Sequence, residues 1–294
     1  MYEMKHEAKG LVSHGVSTCA GCGLELVMRK VMDALGDDVI MLIPPGCAAL
    51  FSGFGKESNL KVPGYQGNLE NEGAEASGVR AALDAMGNDH TTVVAFAGDG
   101  ATVDIGLQSM SGAFERGDRI LYICYDNEAY MNTGNQASSS TPLWSSTTTT
   151  PAGKNVGRKD LGQIAMAHNI PYVATASVHN IPDLQRKVKK AQAANGPALL
   201  HIFAPCPTGW RSNPAKTIEI SRLAEKTGCW VNYECENGKV TVNSKVKELT
   251  PVKEYLALQG RFRHLRSEEQ QQAIQEYITK SYERTMKRLT LFSE

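Results

Sequence analysis

The feature that most constrains the fold is an alternation of apolar runs and glycine turns between residues 91 and 127. Residues 91–100, TTVVAFAGDG, join a short apolar run to a tight glycine turn, which predicts a buried strand. A helix is expected over about residues 105–115, and RILYICYDN at 119–127 predicts the next buried strand. Strand, turn, helix and strand form a βαβ unit, so the sequence predicts a parallel sheet with right-handed crossovers.

Segments of the same character continue this pattern on both sides of the unit. VIMLIPPG at 39–46 predicts another buried strand, whereas the glycine-rich stretch 51–73 has no steady period. Further elements alternate along the chain: a helix within 18–35, a helix at about 75–86, a helix in 160–168, a strand in 170–176, a helix at about 182–194 and a strand at 197–204. We therefore expect an α/β fold with a mostly parallel sheet flanked by helices.

The pattern changes in the last quarter of the chain. YECENGKVTV at 233–242 predicts a hairpin with an Asn-Gly turn, and apolar residues three to four apart predict an amphipathic helix over 267–292. The sequence thus divides into an α/β domain at 1–228 and a C-terminal extension, a hairpin and helical arm, at 229–294. The arm either contacts partner subunits or packs on its own domain, since an apolar stripe serves both purposes.

The charge balance excludes several classes of partner. Thirty-one basic residues match 31 acidic residues among 294, so there is no excess cation for general binding to nucleic acid or an anionic membrane. The longest apolar runs, such as VVAFAG, are far shorter than the roughly 20 residues that span a bilayer. The first residues, MYEMKHEAKGLVSHG, hold no apolar core of a signal peptide, so a cytoplasmic location is expected.

A Ser/Thr-rich segment, SSSTPLWSSTTTT, occupies residues 138–150. Its low complexity by itself is typical of a disordered linker. A candidate site precedes it, however, and a regular helix and strand pattern follows it. We therefore expect an ordered loop that covers the site.

Four of the seven cysteines lie where predicted strands end or in a glycine loop. Cys19 and Cys22 belong to CAGCG, and Cys47 and Cys206 each follow a predicted strand. Thiolates are soft ligands, so an iron–sulfur cluster, a structural zinc and a redox dithiol are all open on spacing alone. The other three are expected to be one core residue and two free thiols: Cys124, Cys229 and Cys235.

A second set of residues has the chemistry of a Mg²⁺-diphosphate site. Gly98-Asp99-Gly100 ends one predicted strand, and Asp126-Asn127 ends the next. The glycines allow backbone N–H groups to approach a diphosphate, and the following helix presents its N-terminus. Asp99 and Asn127 supply the hard oxygen ligands that Mg²⁺ prefers.

Other nucleotide-binding motifs do not fit the sequence. GFGKES at 53–58 resembles part of a P-loop, but Leu50 stands where that motif needs glycine and Glu57 where it needs Ser or Thr. No G-x-G-x-x-G follows a strand, so a nicotinamide site has no support.

Taken together, the motifs resemble a known family. CAGCG, GDG…DN with YMNTG after it, TTTTPAGK, IPYVATAS, APCPTGW and LQGRFRHL occur in the order found in the thiamine-diphosphate-binding beta subunit of the 2-oxoacid:ferredoxin oxidoreductases. The similarity is closest to the pyruvate class, pyruvate synthase, and covers nearly the whole chain. It implies a thiamine-diphosphate-binding fold and oxidative decarboxylation of a 2-oxoacid, with electrons passing through a [4Fe–4S] cluster to ferredoxin.

The resemblance also implies roles for individual residues. Cys19, Cys22, Cys47 and Cys206 would bind the cluster. Mg²⁺ would be bound by Asp99, Asn127 and the carbonyl of Ala129, and Asn132 would lie near the reacting carbons as the catalytic residue. The residues expected around thiamine diphosphate are Gly46, Gly98, Asp99, Gly100, Ala101, Asn127, Ala129, Asn132 and Thr133.

Half of the expected active site is missing from the sequence. Thiamine chemistry needs a glutamate that assists proton transfer on the aminopyrimidine, and related enzymes carry it on another domain. The resemblance therefore implies alpha-, gamma- and delta-type partner subunits, one supplying the glutamate and one carrying further [4Fe–4S] clusters. Ferredoxin and, in the pyruvate class, coenzyme A are the expected co-reactants.

The sequence departs from the pyruvate pattern beside the expected pocket. Where that class is expected to read VPWIH and then FENA, this chain has VPGYQ at 62–66 and LENE at 69–72. Oxalate or an aryl glyoxylate is therefore an alternative substrate to pyruvate. A non-catalytic iron–sulfur or zinc scaffold is the alternative of another class.

Overall fold

A computed structural model describes residues 10–52, 58–244 and 246–291. These residues form one eight-stranded sheet with helices on both faces, and the predicted α/β fold with a mostly parallel sheet is confirmed. The sequence expectations about the N-terminal segment and about GFGKES fall mainly on residues 1–9 and 53–57, which lie outside the described residues.

The sheet is parallel across its first six strands and antiparallel at one edge. Its spatial order is β2-β1-β3-β4-β6-β5-β7-β8, and β7 pairs antiparallel with both β5 and β8. The central strands β4, β5 and β6 are buried at every position because helices cover both faces. The strands are β1 Val39–Ile43, β2 Gly64–Gln66, β3 Thr92–Gly98, β4 Leu121–Asp126, β5 Tyr172–Ser177, β6 Ala198–Phe203, β7 Tyr233–Glu236 and β8 Lys239–Val242.

The helices form two layers on the sheet. On one face α1 packs against α6, and on the other α3 packs against α4. The α-helices are α1 Gly23–Leu35, α2 Ala49–Ser52, α3 Glu72–Ala85, α4 Leu107–Glu115, α5 Leu161–Met166, α6 Ile181–Gln192, α7 Pro207–Trp210, α8 Thr217–Lys226, α9 Val252–Ala257 and α10 Glu268–Leu291.

Helix α1 illustrates how the sequence produces these layers. Its apolar side chains recur every three to four residues and are buried against the sheet, each contributing roughly 1.5–3 kcal/mol to stability. The helix ends at Gly36, whose φ of 82° is a backbone conformation that glycine adopts without strain. The buried residues are Leu24, Val27, Met28, Val31, Met32 and Leu35.

Two local features differ from the sequence expectations. The stretch 51–73, which lacks a steady period, contains the short edge strand β2, because three exposed residues pair with β1 through their backbone alone. The helix expected from about residue 105 is preceded by a π-helix at Gly100–Ile105, and the regular helix α4 begins only at Leu107. π-Helical turns are frequent at functional sites.

The C-terminal segments pack on the rest of the chain. The predicted hairpin forms β7 and β8 and extends the sheet, with the expected turn at Asn237-Gly238. The predicted amphipathic helix is α10, which buries Ile274 and Leu289 in two different hydrophobic clusters. The division at residue 228 and contact of the arm with partners stay predictions. No helix among the described residues is both long and apolar enough to cross a membrane.

Candidate functional site

The carboxyl ends of the parallel strands surround one cavity of about 120 Å³. Its walls come from the loops after β1, β3 and β4, which the topology places side by side at one sheet edge. The structure brings together here every residue that the sequence analysis placed around thiamine diphosphate: Gly46, Gly98, Asp99, Gly100, Ala101, Asn127, Ala129, Asn132 and Thr133. Cys47 lines the same cavity.

Three oxygen-bearing groups converge in this cavity. With its oxygen pointing inward, the amide of Asn127 has Oδ1 at 2.8 Å from the Ala129 carbonyl oxygen and 3.1 Å from Asp99 Oδ1. Acceptors this close repel one another unless a cation lies between them, or unless the amide rotates and donates N–H to both. Neighbouring ligands of an octahedral Mg²⁺ at about 2.1 Å are about 3 Å apart, which matches these separations.

The negative charge of the Asp99 carboxylate is unfavourable in its surroundings unless a positive charge compensates it. It is buried, and burial, reinforced by the nearby charge of Asp126, raises its pKa well above the ordinary value. Ser138 donates a hydrogen bond to Asp99 Oδ2 and partly opposes that rise. A bound cation would offset the buried negative charge in the same way as a proton does.

A polar network fixes the loop that follows β4. His201 Nε2 lies 2.7 Å from Asp126 Oδ2, and burial of Asp126 is outweighed by this hydrogen bond, so the pKa of Asp126 is lowered. Trp210 Nε1 donates to the carbonyl oxygen of Asn127 at 2.8 Å. The backbone on both sides of the Asn127 side chain is therefore anchored to buried side chains.

The centre of this network is Glu128, a residue that the sequence analysis did not single out. Its backbone has φ 64° and its side chain is buried between two arginines. Arg158 donates to Oε1 at 2.9 Å and Arg261 donates to Oε2. Arg261 also lies 3.7 Å from the centroid of the Trp210 ring. The sequence feature that could have identified Glu128 is its position between the two expected Mg²⁺ ligands.

The Ser/Thr-rich segment is ordered and contacts the site, as the sequence analysis expected. Ser138 bonds Asp99, and Thr141 Oγ1 donates to the Glu128 carbonyl at 2.6 Å. Lys154 Nζ is buried and donates to the carbonyls of Ser138 and Thr141 at 3.0 and 2.8 Å. Buried hydroxyls with partners stabilise a loop, whereas solvated ones leave it free.

The four predicted cysteine ligands lie near enough to one another for their charges to interact. Burial raises the pKa of Cys22 to about 11 and of Cys47 to about 12, and in each case the charge of Cys206 adds to the rise. Cys19 also acts on Cys22, Cys47 and Cys206. In residues 10–52, 58–244 and 246–291, no three His, Cys, Asp or Glu side chains come close enough to bind a single metal ion.

Glycines bring the CAGCG loop against the Cys206 loop. Gly21 has φ 70°, and a Cβ there would lie 2.2 Å from the Pro214 carbonyl oxygen. A Cβ on Gly23 would lie 2.8 Å from the backbone of Ala204 and Pro205. The CxxC pair can therefore approach the other cysteines only because its loop has no side chain at these two positions.

Backbone N–H groups point at two of the sulfurs. The Gly209 N–H donates to Cys206 Sγ at 3.4 Å, and the N–H groups of Glu25 and Leu24 stabilise the Cys22 thiolate. N–H···S bonds of this kind stabilise anionic sulfur and tune iron–sulfur centres. The remaining cysteines, Cys124, Cys229 and Cys235, are free thiols outside this group.

The fold and the site define a class of cofactor-binding domain. Residues 44–202 match the family described as thiamine pyrophosphate enzyme, C-terminal TPP binding domain. Thiamine pyrophosphate is thiamine diphosphate, so the expected cofactor class is confirmed.

Curated relatives then define the family within that class. Pyruvate synthase subunit PorB of Methanothermobacter thermautotrophicus is 47% identical over 94% of this chain and 97% of its own. Ketoisovalerate oxidoreductase subunit VorB of Pyrococcus abyssi is 45% identical over 95% and 93%. The chain belongs to this family of thiamine-diphosphate-binding 2-oxoacid oxidoreductase subunits, and the resemblance drawn from the motifs is confirmed.

A solved structure agrees with the fold. One chain of the 2-oxoglutarate:ferredoxin oxidoreductase from Magnetococcus marinus superposes with a TM-score of 0.59 at 20% identity. The match covers 74% of this chain and 81% of that chain.

Proposed function

We propose that this chain is the beta-type subunit of a 2-oxoacid:ferredoxin oxidoreductase of the pyruvate class, acting in the cytoplasm. One observation carries the proposal: a single cavity is lined both by the three converging oxygens and by Cys47, one of four grouped thiols. A thiamine site with no redox role has no use for thiolates at its wall. Electrons leaving the cavity would therefore have a short path to a cluster.

The residues fit thiamine diphosphate with Mg²⁺. Asp99, Asn127 and the Ala129 carbonyl would bind the metal, since their spacing suits adjacent octahedral positions. Asn132 and Thr133, which line the same cavity, would contact the cofactor and the substrate. When bound, thiamine diphosphate supplies the nucleophilic carbon and the electron sink for decarboxylation.

The four thiols fit a [4Fe–4S] cluster better than zinc. A zinc ion needs four ligands at about 2.3 Å from one centre, whereas a cluster holds its cysteines further apart. The thiols of Cys22, Cys47 and Cys206 are in mutual electrostatic range without forming a single-ion site within the described residues. N–H donors at two sulfurs add to the support for a cluster.

A partner subunit would complete the active site. Among the described residues that line the cavity, Asp99 carries the sole carboxyl group, so this wall offers no glutamate. The two curated relatives are themselves named as subunits. We propose that one partner supplies the glutamate and another carries further clusters that pass electrons to ferredoxin.

The departures at 62–72 bear less on the substrate than the sequence alone implies. Gly64 pairs with Met41 in the sheet, and a Cβ there would lie 2.2 Å from the Met41 carbonyl oxygen, so this backbone excludes a tryptophan. Of the described residues in this stretch, Leu69 is the one that lines the cavity. Because both pyruvate and ketoisovalerate enzymes are near relatives, we propose an aliphatic 2-oxoacid, with pyruvate first.

The test compares the complex with the chain alone under anaerobic conditions. We expect substrate-dependent viologen reduction by the complex, with pyruvate preferred over 2-oxoisovalerate, oxalate and phenylglyoxylate, and none by the isolated chain. Cys47→Ser should abolish viologen reduction, whereas Cys229→Ser, a thiol outside the group, should not. Full activity without a partner would refute the shared active site, and a colourless zinc protein without thiamine would favour the scaffold alternative.

A further inference from the structure

A tyrosine that the sequence analysis did not single out contacts both the cavity and the core beside the cysteines. Tyr125 is the residue before the last one of β4, is 3% exposed and lines the cavity that also contains Asp99. It belongs to the hydrophobic cluster on the α1 and α6 face of the sheet, against which Cys22 and Cys47 pack. Tyr125 is therefore shared by the proposed cofactor site and the surroundings of two proposed cluster ligands.

The hydroxyl of Tyr125 fixes the backbone directly after Cys47. The N–H of Ala48, a fully buried residue, donates to Tyr125 Oη at 3.1 Å. Among the described residues, the other hydrogen bonds of residues 45–48 run to residues 49–51, in the helix that follows. Within that part of the chain, Tyr125 is thus the residue of the sheet whose hydrogen bond holds the Cys47 loop, residues 45–48.

The ring of Tyr125 is held by two residues of the neighbouring strand. Phe96 on β3 stacks against it, with ring centroids 5.2 Å apart and an angle of 28° between the planes. Gly98 is paired with Tyr125 in the register of β3 and β4, and a Cβ on Gly98 would lie 3.2 Å from the ring and from the hydroxyl oxygen. A side chain at position 98 would press on the tyrosine, so the first glycine of GDG makes room for it.

We propose that Tyr125 is a positioning residue for electron transfer, whose hydroxyl holds Cys47 at the wall of the cofactor cavity through the Ala48 N–H. The inference rests on the proposed function, in which electrons leave this cavity through a cluster bound by Cys47. Groups that orient a metal ligand from outside the coordination sphere usually contribute about 10–100-fold to metal affinity or activity. Tyr125→Phe keeps the packing of the ring and removes only the acceptor of the Ala48 N–H.

Tyr122→Phe is the matched control. Tyr122 lies on the same strand and is fully buried, but it belongs to the hydrophobic cluster on the other face of the sheet. The described residues that line the cavity do not include it. Both variants remove one buried hydroxyl from β4. An effect of Tyr125→Phe that Tyr122→Phe lacks therefore reports on the bond to Ala48 and not on the strand.

The first measurement uses the full chain without metal or cofactor. Labelling of Cys47 by iodoacetamide, followed by mass spectrometry of its peptide, reports how often the Cys47 loop opens. Loss of one hydrogen bond should raise the labelling rate about fivefold in Tyr125→Phe and leave it unchanged in Tyr122→Phe. Cys229, a thiol outside the group, is the internal reference, and its rate should be the same in all three proteins.

The second measurement uses the full chain reconstituted anaerobically with iron and sulfide. A ferrous chelator should extract iron from Tyr125→Phe about tenfold faster than from the wild type, because one ligand is held less firmly. In the assembled complex, Tyr125→Phe should release carbon dioxide from pyruvate in a single turnover at the wild-type rate but reduce viologen about tenfold more slowly. Tyr122→Phe should match the wild type in both assays.

The outcomes separate this inference from the proposed function. A wild-type chain that takes up no cluster would refute both. A wild-type chain that takes up the cluster, with Tyr125→Phe and Tyr122→Phe alike in labelling and iron release, would refute the role of Tyr125 alone. Faster labelling of Cys229 as well, or an equal loss of carbon dioxide release and viologen reduction, would show a general structural role and would also overturn the inference.

Discussion

Replacing the Glu128 carboxylate, at the centre of the polar network, is the most direct perturbation of the loop after β4 that contains Asn127 and Ala129. In Glu128→Gln the charge is lost while shape and one acceptor remain. Arg261, whose side chain is 3% exposed, then keeps its charge in a buried position without a counterion. Arg158 is 29% exposed and can be rehydrated. Removing one partner of a buried ion pair costs about 3–5 kcal/mol, and since one of the two arginines is stranded, we expect about 3 kcal/mol.

Urea unfolding of the full chain, followed by circular dichroism, measures this cost. The matched control is Glu219→Gln, because Glu219 pairs with Lys216 and both are more than 40% exposed. Such an exposed pair is worth about 0–1 kcal/mol, so the control should lie near the wild type. In the complex, Glu128→Gln should also weaken Mg²⁺ binding about 10–100-fold, as is usual when a group that orients a metal ligand is lost.

A loss of stability below about 1 kcal/mol would refute the reasoning, because it would mean that Glu128 is not the counterion of a buried arginine. A second check is Arg261→Met combined with Glu128→Gln. Once both charges are absent, the double variant should be less destabilised than the sum of the single variants. Strict additivity would show that the two side chains do not interact.

Three further predictions concern other parts of the chain. Gly23→Ala should abolish the visible absorbance of the proposed cluster, because its Cβ would clash with the backbone of the Cys206 loop. Gly78→Ala, where a Cβ has open space, should retain that absorbance. Burial raises the pKa of Cys47 to about 12, so the folded metal-free chain favours the neutral thiol and loses stability as pH rises from about 9 toward 12. In urea titrations, Cys47→Ser should reduce this fall of the unfolding free energy with pH. An unchanged dependence on pH would contradict the raised pKa of Cys47. Burial acts to raise the pKa of Glu234, but hydrogen bonds from Tyr172, Arg186 and Lys190 lower it to about 2. The contribution of Glu234 to the stability of the folded chain is therefore full above about pH 4.5 and is lost as pH falls through 2. Glu234→Gln should lose less stability in acid than the wild type does in the same assay.

Local patterns were sufficient to predict the sheet. The apolar runs at Val39–Ile43, Thr92–Gly98 and Leu121–Asp126 are buried strands because each is short, continuous and followed by glycine, proline or a polar turn. Strand β2 could not be predicted, since Gly64–Gln66 pairs through backbone groups that any sequence possesses. The π-helix at Gly100–Ile105 could not be predicted either, because the hydrogen-bonding pattern within a helix produces no recognisable repeat in the sequence.

The same contrast applies to the site. Asp99, Asn127 and the cysteines could be selected because their side-chain chemistry is recognisable in sequence. Glu128 and Arg261 are 133 residues apart and meet only through the tertiary fold, so no local pattern connects them. Residues that hold the proposed ligands in place are therefore harder to predict than the proposed ligands themselves.

The Ser/Thr-rich segment shows that composition alone does not decide whether a segment is ordered. Short hydroxyl side chains are typical of linkers, but they also let two backbones approach while each buried polar group still finds a partner. Here Ser138 donates to Asp99, Thr141 donates to the Glu128 carbonyl, and the buried Lys154 donates to two carbonyls of the segment. The Ser/Thr-rich segment is thus bonded directly to Asp99 and to the loop after β4 that contains Asn127 and Ala129. Each segment therefore helps to hold the other in place.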